Sequence, residues 1–171
     1  MQKKVLNETS LSWGFLPNLS SVENDIIHFH FFNDFALLSL KKKERDKYND
    51  FELSYHQQHS WIMDYIRDKF KLKENKTLIT QTTYGSIHFF GESSLTRNHI
   101  NSNSAFTVIY LVHGSGNLIL EWKNPQNKEC DWTIPMIPGK YVVFSANINY
   151  SFIKNESTDI RTIITWNCQI K

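Results

Sequence analysis

The chain has 171 residues, of which 40% are hydrophobic and 14% aromatic, with 19 basic and 17 acidic side chains. A chain of this length fits one domain, in which about 70% of the unfolded surface can be buried. The formal charge of +2 is too balanced for electrostatic capture of nucleic acid or an anionic membrane, because either needs a clustered basic face. We therefore expect one domain over residues 1–171 that binds neither nucleic acid nor a membrane.

The two cysteines, Cys130 and Cys168, lie in no CxxC pair. Free thiols in a reducing cytoplasm are the simplest expectation for such a chain. Residues 1–8 contain no continuous apolar stretch, and no segment approaches the ~18 apolar residues of a membrane span. The sequence therefore predicts a soluble cytoplasmic protein.

The predicted elements fall into an N-terminal part, residues 1–76, and a β-rich part, residues 77–171. The apolar run 26–32 predicts one or two strands. A helix is predicted next, because apolar side chains recur at helical spacing at Trp61, Ile62, Tyr65, Ile66 and Phe70. Regularly spaced strands follow, at 78–83, 87–90, 106–112, 117–122, 132–137, 141–144, 150–153 and 160–166, each bounded by turn residues. Glycines at 114 and 116 predict a hairpin between two of these strands.

Several residues with chemical potential follow one another in the second half of the chain. His99 lies two residues before Asn101, and the apolar run 106–111 comes next. A Pro-Gly turn at 138–139 leads into another apolar strand, and Arg161 lies within the last one. The order and spacing of these features carry the signal, rather than any single residue.

The stretch from about Ile79 to Gln169 resembles the double-stranded β-helix of 2-oxoglutarate/Fe(II)-dependent oxygenases, especially small members similar to prolyl 4-hydroxylase. The resemblance implies a mainly β fold with a flanking helix, whose core is a jelly-roll, cupin-like barrel. Two imidazoles and one carboxylate hold Fe(II) on one face in that family, which leaves positions for 2-oxoglutarate and oxygen. The implied activity is that of a dioxygenase that hydroxylates a small molecule or peptide, with Fe(II) and 2-oxoglutarate as cofactors.

By this resemblance, His99 is a metal ligand and Arg161 pairs with the far carboxylate of 2-oxoglutarate through charge-assisted bonds. Asn101 stands where the carboxylate or second imidazole is expected, and Tyr150 or Asn149 stands where the distal imidazole is expected. A neutral amide is a poor donor to iron and supplies no charge. The predicted metal set is therefore incomplete.

Tyr84, His88 and Tyr110 are implied by the same resemblance to line the barrel interior. Tyr84 and Tyr110 would contact the cofactor there, whereas the alternative is that they are core aromatics with satisfied polar tips. Arg161 has its own alternative, as an edge residue whose guanidinium reaches solvent. His99 has one too, as an ordinary surface or hydrogen-bonded histidine.

Three hypotheses on function remain open after these observations. The protein is an oxygenase with an incomplete triad, a catalytically inactive barrel that binds or interacts through Arg161, or a cupin-like small-molecule-binding protein. Elsewhere, His28 and His30 have metal-ligand spacing on a predicted strand but no third ligand, and His56 and His59 lack the carboxylate of a metalloprotease motif. The substrate, the oligomeric state and the pathway do not follow from the sequence.

Overall fold

The computed structural model describes residues 1–6, 9–17, 25–30, 33, 50–53, 60–99 and 103–171. Its helices are α1, at residues 25–30, and α2 (Ser60–Glu74). Its strands are β1 (Gln2–Leu6), β2 (Thr9–Phe15), β3 (Asp50–Glu52), β4 (Leu78–His88), β5 (Phe106–His113), β6 (Gly116–Lys123), β7 (Glu129–Met136), β8 (Lys140–Ser145), β9 (Asn149–Phe152) and β10 (Arg161–Ile170).

The strands form two sheets. The large sheet has the order β1-β2-β8-β5-β10-β4-β3, and the small sheet has the order β7-β6-β9. Every pairing between described strands is antiparallel. Because successive side chains of a strand point to opposite faces, the large sheet can be covered on both sides. The mainly β architecture with a flanking helix is as predicted.

The large sheet buries apolar side chains on each face. Ile66 and Phe70 of α2 pack with Val108 of β5 on one face. On the other face, Leu111 of β5 packs with Leu118 of the small sheet. Full burial of one such side chain contributes about 1.5–3 kcal/mol. The space between the two sheets, where the candidate site lies, therefore has well-packed walls.

Helix α2 confirms the predicted helical stripe, with one exception. Ile62, Ile66 and Phe70 are buried, whereas Trp61 is 42% exposed. Trp61 is one residue from Ile62 and therefore about 100° around the helix from it. No helix in the described part of the chain is long and apolar enough to span a membrane.

The predicted strand at 26–32 is wrong over its described part, because residues 25–30 are helical. Ile27 is buried while Ile26 and Phe29 are exposed, so burial does not alternate as it would in a strand. His28 of this helix stacks on His113 with 4.3 Å between ring centroids and hydrogen-bonds Thr162. This helix therefore packs on the large sheet through His28.

The predicted strands 78–83 and 87–90 form one strand, β4, that ends at His88. Gly85 does not interrupt it, because its backbone is paired with Ile164 on one side and Phe51 on the other. The strand continues through Gly85 because neighbouring strands pair with its backbone on both sides. Glycine therefore does not mark a turn at this position.

The predicted hairpin at 114–117 is also wrong. β5 pairs with β10 and β8 of the large sheet, whereas β6 pairs with β7 and β9 of the small sheet. The turn instead carries the chain from one sheet to the other. Gly114 has φ of +79°, and a Cβ there would lie 2.9 Å from the carbonyl oxygen of Ile160. The glycines therefore permit a close approach to the start of β10.

Candidate functional site

The interior of the small sheet carries an aromatic pair flanked by two arginines. Tyr150 and Phe152 lie two residues apart on β9, so both rings point to one face of the strand. Cζ of Arg97 lies 5.1 Å from the ring centroid of Tyr150, and Cζ of Arg161 lies 5.0 Å from that of Phe152. We call these four residues the arginine–aromatic ledge.

His99 joins the outer end of this ledge. Its Nε2 lies 2.9 Å from the phenol oxygen of Tyr150, and its ring stacks on Tyr84 with 6.5 Å between ring centroids. Burial, followed by the nearby charge of Arg97, lowers the pKa of His99 to about 4. Burial also raises the pKa of Tyr150. At neutral pH, a neutral imidazole and a protonated phenol therefore share this hydrogen bond, and the tautomer of His99 sets its direction.

Arg97 is positioned by a short backbone pairing beside β9. Its N–H donates to the carbonyl oxygen of Tyr150 at 3.0 Å, and the N–H of Tyr150 donates back at 2.8 Å. This antiparallel bridge puts both side chains on one face. Arg97 was not predicted from the sequence, although one residue separates it from His99. That spacing was the available signal, because alternation places such a pair on the same side of an extended segment.

Arg161 forms the inner end of the ledge and is 0% exposed. Its Nε and Nη2 donate to Nδ1 of His88, at 3.1 and 2.8 Å, and Nη2 also donates to the carbonyl oxygen of Ile153 at 2.8 Å. Because Nδ1 of His88 accepts these bonds, it carries no proton and the ring is neutral. The interpretation of Arg161 as an edge residue that reaches solvent is wrong.

The charge of Arg161 is not neutralised by any carboxylate among the described residues. Its Nη1 is buried without a hydrogen-bond partner and lies against Gly116, where an added Cβ would be 2.5 Å away. Burial lowers the pKa of Arg161 to about 10, so the group stays cationic at neutral pH. An uncompensated buried charge costs several kcal/mol. An anion that reached Nη1 would offset that cost.

The structure brings some of the predicted site residues together and separates others. Tyr84, His99 and Tyr150 meet at one point, with Arg161 at the neighbouring ring of β9. Tyr110 is buried on the opposite, α2-facing side of the large sheet. Asn149 accepts a hydrogen bond from Asn98 at the exposed surface. The predictions for Asn101, His56 and His59 lie outside the described residues.

The side chains at the outer end of the ledge do not fit an Fe(II) ion. Nε2 of His99 is used by the phenol of Tyr150, and Arg97 brings a positive charge to the same place. The raised pKa of Tyr150 keeps its oxygen from acting as a phenolate ligand. Within the described ranges, no group of three His, Cys, Asp or Glu side chains could hold a metal.

The two histidines of α1 also fail to form a pair. His28 faces the large sheet, where it stacks on His113, while His30 is exposed and contacts Phe29. Their separation by one residue places them on one side in a strand but not in a helix. His28 and His30 therefore do not form the metal-binding pair that their spacing would allow in a strand.

Comparisons with known proteins show which fold this is. No protein-family model matches the sequence, and no curated protein matches it. The chain is similar to a solved prolyl-4-hydroxylase from Pseudomonas putida, at 12% identity over 93% of this chain and 92% of that one, with a TM-score of 0.65. It is also similar to the non-haem α-ketoglutarate-dependent carbocyclase SnoK from nogalamycin biosynthesis, at 9% identity over 94% and 79%, with a TM-score of 0.65.

A third similar structure is a prolyl hydroxylase from Trichoplax adhaerens, solved in complex with a peptide fragment of hypoxia-inducible factor. The identity is 12% over 92% of this chain and 83% of that one, with a TM-score of 0.60. At such low identity, these likenesses are evidence for the fold. They confirm the predicted double-stranded β-helix, the fold of 2-oxoglutarate/Fe(II) oxygenases.

Proposed function

We propose that this protein is a carboxylate-binding member of the oxygenase-type double-stranded β-helix fold, which uses Arg161 to bind an anionic small molecule or peptide group without a metal. One observation carries the proposal: a fully buried guanidinium has no carboxylate partner among the described residues, and its Nη1 has no acceptor. A ligand carboxylate would supply both the counter-charge and the acceptor.

The neighbours of Arg161 suit this role. His88 accepts from Nε and Nη2, and the carbonyl oxygen of Ile153 accepts from Nη2, so the guanidinium plane is held in place before any ligand arrives. Less side-chain freedom is then lost on binding. The ring of Phe152 covers one face of the guanidinium, and the low local dielectric strengthens its attraction for an anion.

The second candidate is a 2-oxoglutarate/Fe(II)-dependent hydroxylase. Arg161 in the last strand favours it, and so does the structural similarity to prolyl hydroxylases. This function requires metal donors outside the described residues, such as Asn101, and requires His99 to leave the phenol of Tyr150. Because of these two requirements, the described residues support this function less well than they support metal-free carboxylate binding.

Calorimetric titration tests the proposal. Wild-type protein is titrated with 2-oxoglutarate and with succinate in excess EDTA, beside Arg161→Met and the control Lys128→Met, which replaces an exposed cation. We expect wild type and the control to bind, and Arg161→Met to lose about tenfold or more in affinity. Circular dichroism checks that each variant is folded.

An anaerobic titration with Fe(II) and 2-oxoglutarate separates the two candidates. Metal-free binding is overturned if carboxylates bind in Fe(II) but not in EDTA. A metal-to-ligand charge-transfer band in the same titration would establish the oxygenase instead. Equal binding by wild type and folded Arg161→Met would remove Arg161 from either function.

A further inference from the structure

The short helix α1 is held against the large sheet by two of its side chains. Ile27 is buried in the apolar cluster on the α2 side of this sheet, and His28 is half-buried, whereas the other four side chains of the helix are exposed. A helix of one or two turns does not form by itself in water, because nucleation fixes several backbone dihedrals for one hydrogen bond. The helical state of residues 25–30 therefore depends on the contacts of Ile27 and His28.

His28 contacts two strands at once, next to an irregularity in β5. The register between β5 and β10 shifts beyond the pair Thr162–His113, which leaves Val112 as an extra residue in β5. A bulge of this kind changes the direction of a neighbouring side chain. The ring of His113 stacks on that of His28, with 4.3 Å between centroids and 16° between planes. Nδ1 of His28 and Oγ1 of Thr162 share a hydrogen bond of 2.6 Å.

The charged groups around the stacked pair act on it in opposite directions. Asp25 of α1 has its Oδ1 3.7 Å from Nδ1 of His113, which makes an ion pair when His113 is protonated. Burial, followed by the neighbouring His113, lowers the pKa of His28, and Asp25 offsets this only in part. Arg161 of β10 points to the other face of the large sheet, toward the small sheet. Protonation of both rings therefore places two cations face to face beside one carboxylate.

Release of α1 from the sheet removes both causes of the lowered pKa of His28. The released ring is hydrated, and its pKa returns towards the ordinary value of 6.5. The released helix therefore binds a proton more tightly than the docked helix does. Docking is at full strength above about pH 7 and weakens as the pH falls through 6.5.

We propose that α1 is a pH-sensitive latch, which is closed on the large sheet at neutral pH and is released in mild acid when the stacked histidines become protonated. The latch contacts the two segments that surround the backbone of Arg161. Thr162 follows Arg161 in β10, and a Cβ added at Gly114, the residue after His113, would lie 3.0 Å from Cα of Arg161. The latch lies on the outer face of the sheet, so its release does not depend on whether Arg161 binds a carboxylate.

Hydrogen exchange of the backbone amides of residues 25–30 tests the latch. Protection is measured at about pH 7.5 and about pH 5 and is corrected for the intrinsic pH dependence of exchange. We expect wild type to lose about threefold or more of this protection at the lower pH. A histidine that regains a pKa of 6.5 on release sets a ceiling of about 30-fold. An unchanged protection in wild type would overturn the proposal.

Three variants decide whether His28 is responsible. His28→Phe keeps a ring against His113 but cannot titrate, so its pH effect should be about a third or less of that in wild type. His30→Gln is the matched control, because His30 is an exposed residue of the same helix, and it should behave as wild type. His99→Gln removes another histidine whose pKa burial lowers, and it should retain the effect because α1 is released locally. A larger effect in His28→Phe, or loss of the effect in His30→Gln or His99→Gln, would overturn the proposal.

Proton NMR keeps the test decisive if α1 is already released in His28→Phe at neutral pH. The imidazole signals of wild type are titrated, and the signal that is missing in the variant is assigned to His28. We expect this signal to titrate below pH 6.5, in step with the loss of protection in residues 25–30. A pKa of 6.5 or higher for His28 in wild type would show that docking does not oppose its protonation, and the proposal would fall.

Discussion

The phenol oxygen of Tyr150 lies 2.9 Å from Nε2 of His99. The two side chains at positions where the family resemblance implies metal ligands are therefore hydrogen-bonded to each other. The bond joins β9 to the extended segment before β5, and the guanidinium of Arg97 covers the same phenol ring. A site of this composition is stabilised by hydrogen bonding and fixed charge. Its energetics can be tested without knowledge of any ligand.

Replacing Tyr150 by Phe removes the hydroxyl that hydrogen-bonds to His99, while the ring that packs under Arg97 is kept. We expect the free energy of unfolding to fall by about 1–2 kcal/mol, because Nε2 of His99 loses its bond in a partly buried place. Urea unfolding measures the change. Tyr84→Phe is the control, since its ring still stacks on His99; a loss as large in that variant would contradict the assignment.

The protein should lose stability as the pH falls from about 6.5 to about 4. The pKa of His99 is lowered from 6.5 to about 4 in the folded state, mainly by burial, so the unfolded chain binds more protons in this window. After allowance for solvent screening at a partly exposed ring, we expect His99 to account for roughly 2 kcal/mol. The loss of stability that His99 causes is complete below about pH 4.

His28 has a pKa lowered by burial and by the neighbouring His113, so it adds a loss of the same sign. The share of His99 is isolated by His99→Gln, which keeps a hydrogen-bonding group for the phenol and cannot titrate. Thermal unfolding from pH 7 to pH 4 should show a shallower decline in this variant. Parallel curves for wild type and His99→Gln would show that His99 does not titrate as expected.

A methyl group at Gly116 should displace the guanidinium of Arg161. The added Cβ would lie 2.5 Å from Nη1, and overpacking of this kind costs about 1–3 kcal/mol. Gly116→Ala should therefore unfold at lower urea concentration and bind carboxylates more weakly.

Gly14→Ala provides the matched control for that variant. Its Cβ would lie 2.5 Å from the hydroxyl of Tyr141, on β2 and away from Arg161. We expect similar destabilisation there but unchanged carboxylate affinity. If both glycine variants weaken carboxylate binding alike, loss of stability rather than Arg161 explains the effect.

The two thiols should differ sharply in reactivity. Both are free, with Cys130 partly exposed and Cys168 buried at 0% exposure. Burial raises the pKa of Cys168 to about 12, and the thiol form is a poor nucleophile. A chromogenic disulfide reagent should titrate one thiol in the native protein and two in denaturant. Rapid reaction of both thiols in the native protein would contradict the burial of Cys168. Rapid reaction of the one thiol that remains in native Cys130→Ser would contradict it as well.

Local spacing was sufficient to predict much of this molecule. Apolar residues at helical spacing predict α2, and alternating residues between turn signals predict most of the strands from β4 onward. Local spacing failed where distant pairing decides the outcome. Residues 25–30 are helical against the end of the large sheet, and the turn at 114–117 changes sheets because β5 and β6 find different partners.

The candidate site divides in the same way. The order of residues in the chain, together with the family resemblance, pointed to His99, Tyr150 and Arg161. Arg97 was not predicted, because its spacing from His99 indicates a shared face only where the segment between them is extended. Its role follows from the backbone bridge with Tyr150, a pairing between segments far apart in sequence.

By itself, the sequence determined the mainly β class and the helix that covers the large sheet, because side-chain periodicity is a local property of the backbone. The tertiary structure decided that Tyr110 faces the helix, that Arg161 is buried without a described carboxylate partner and that Arg97 meets His99 and Tyr150. Those outcomes depend on which strands pair and on which side chains share an enclosed volume of low dielectric, where an uncompensated charge is most costly.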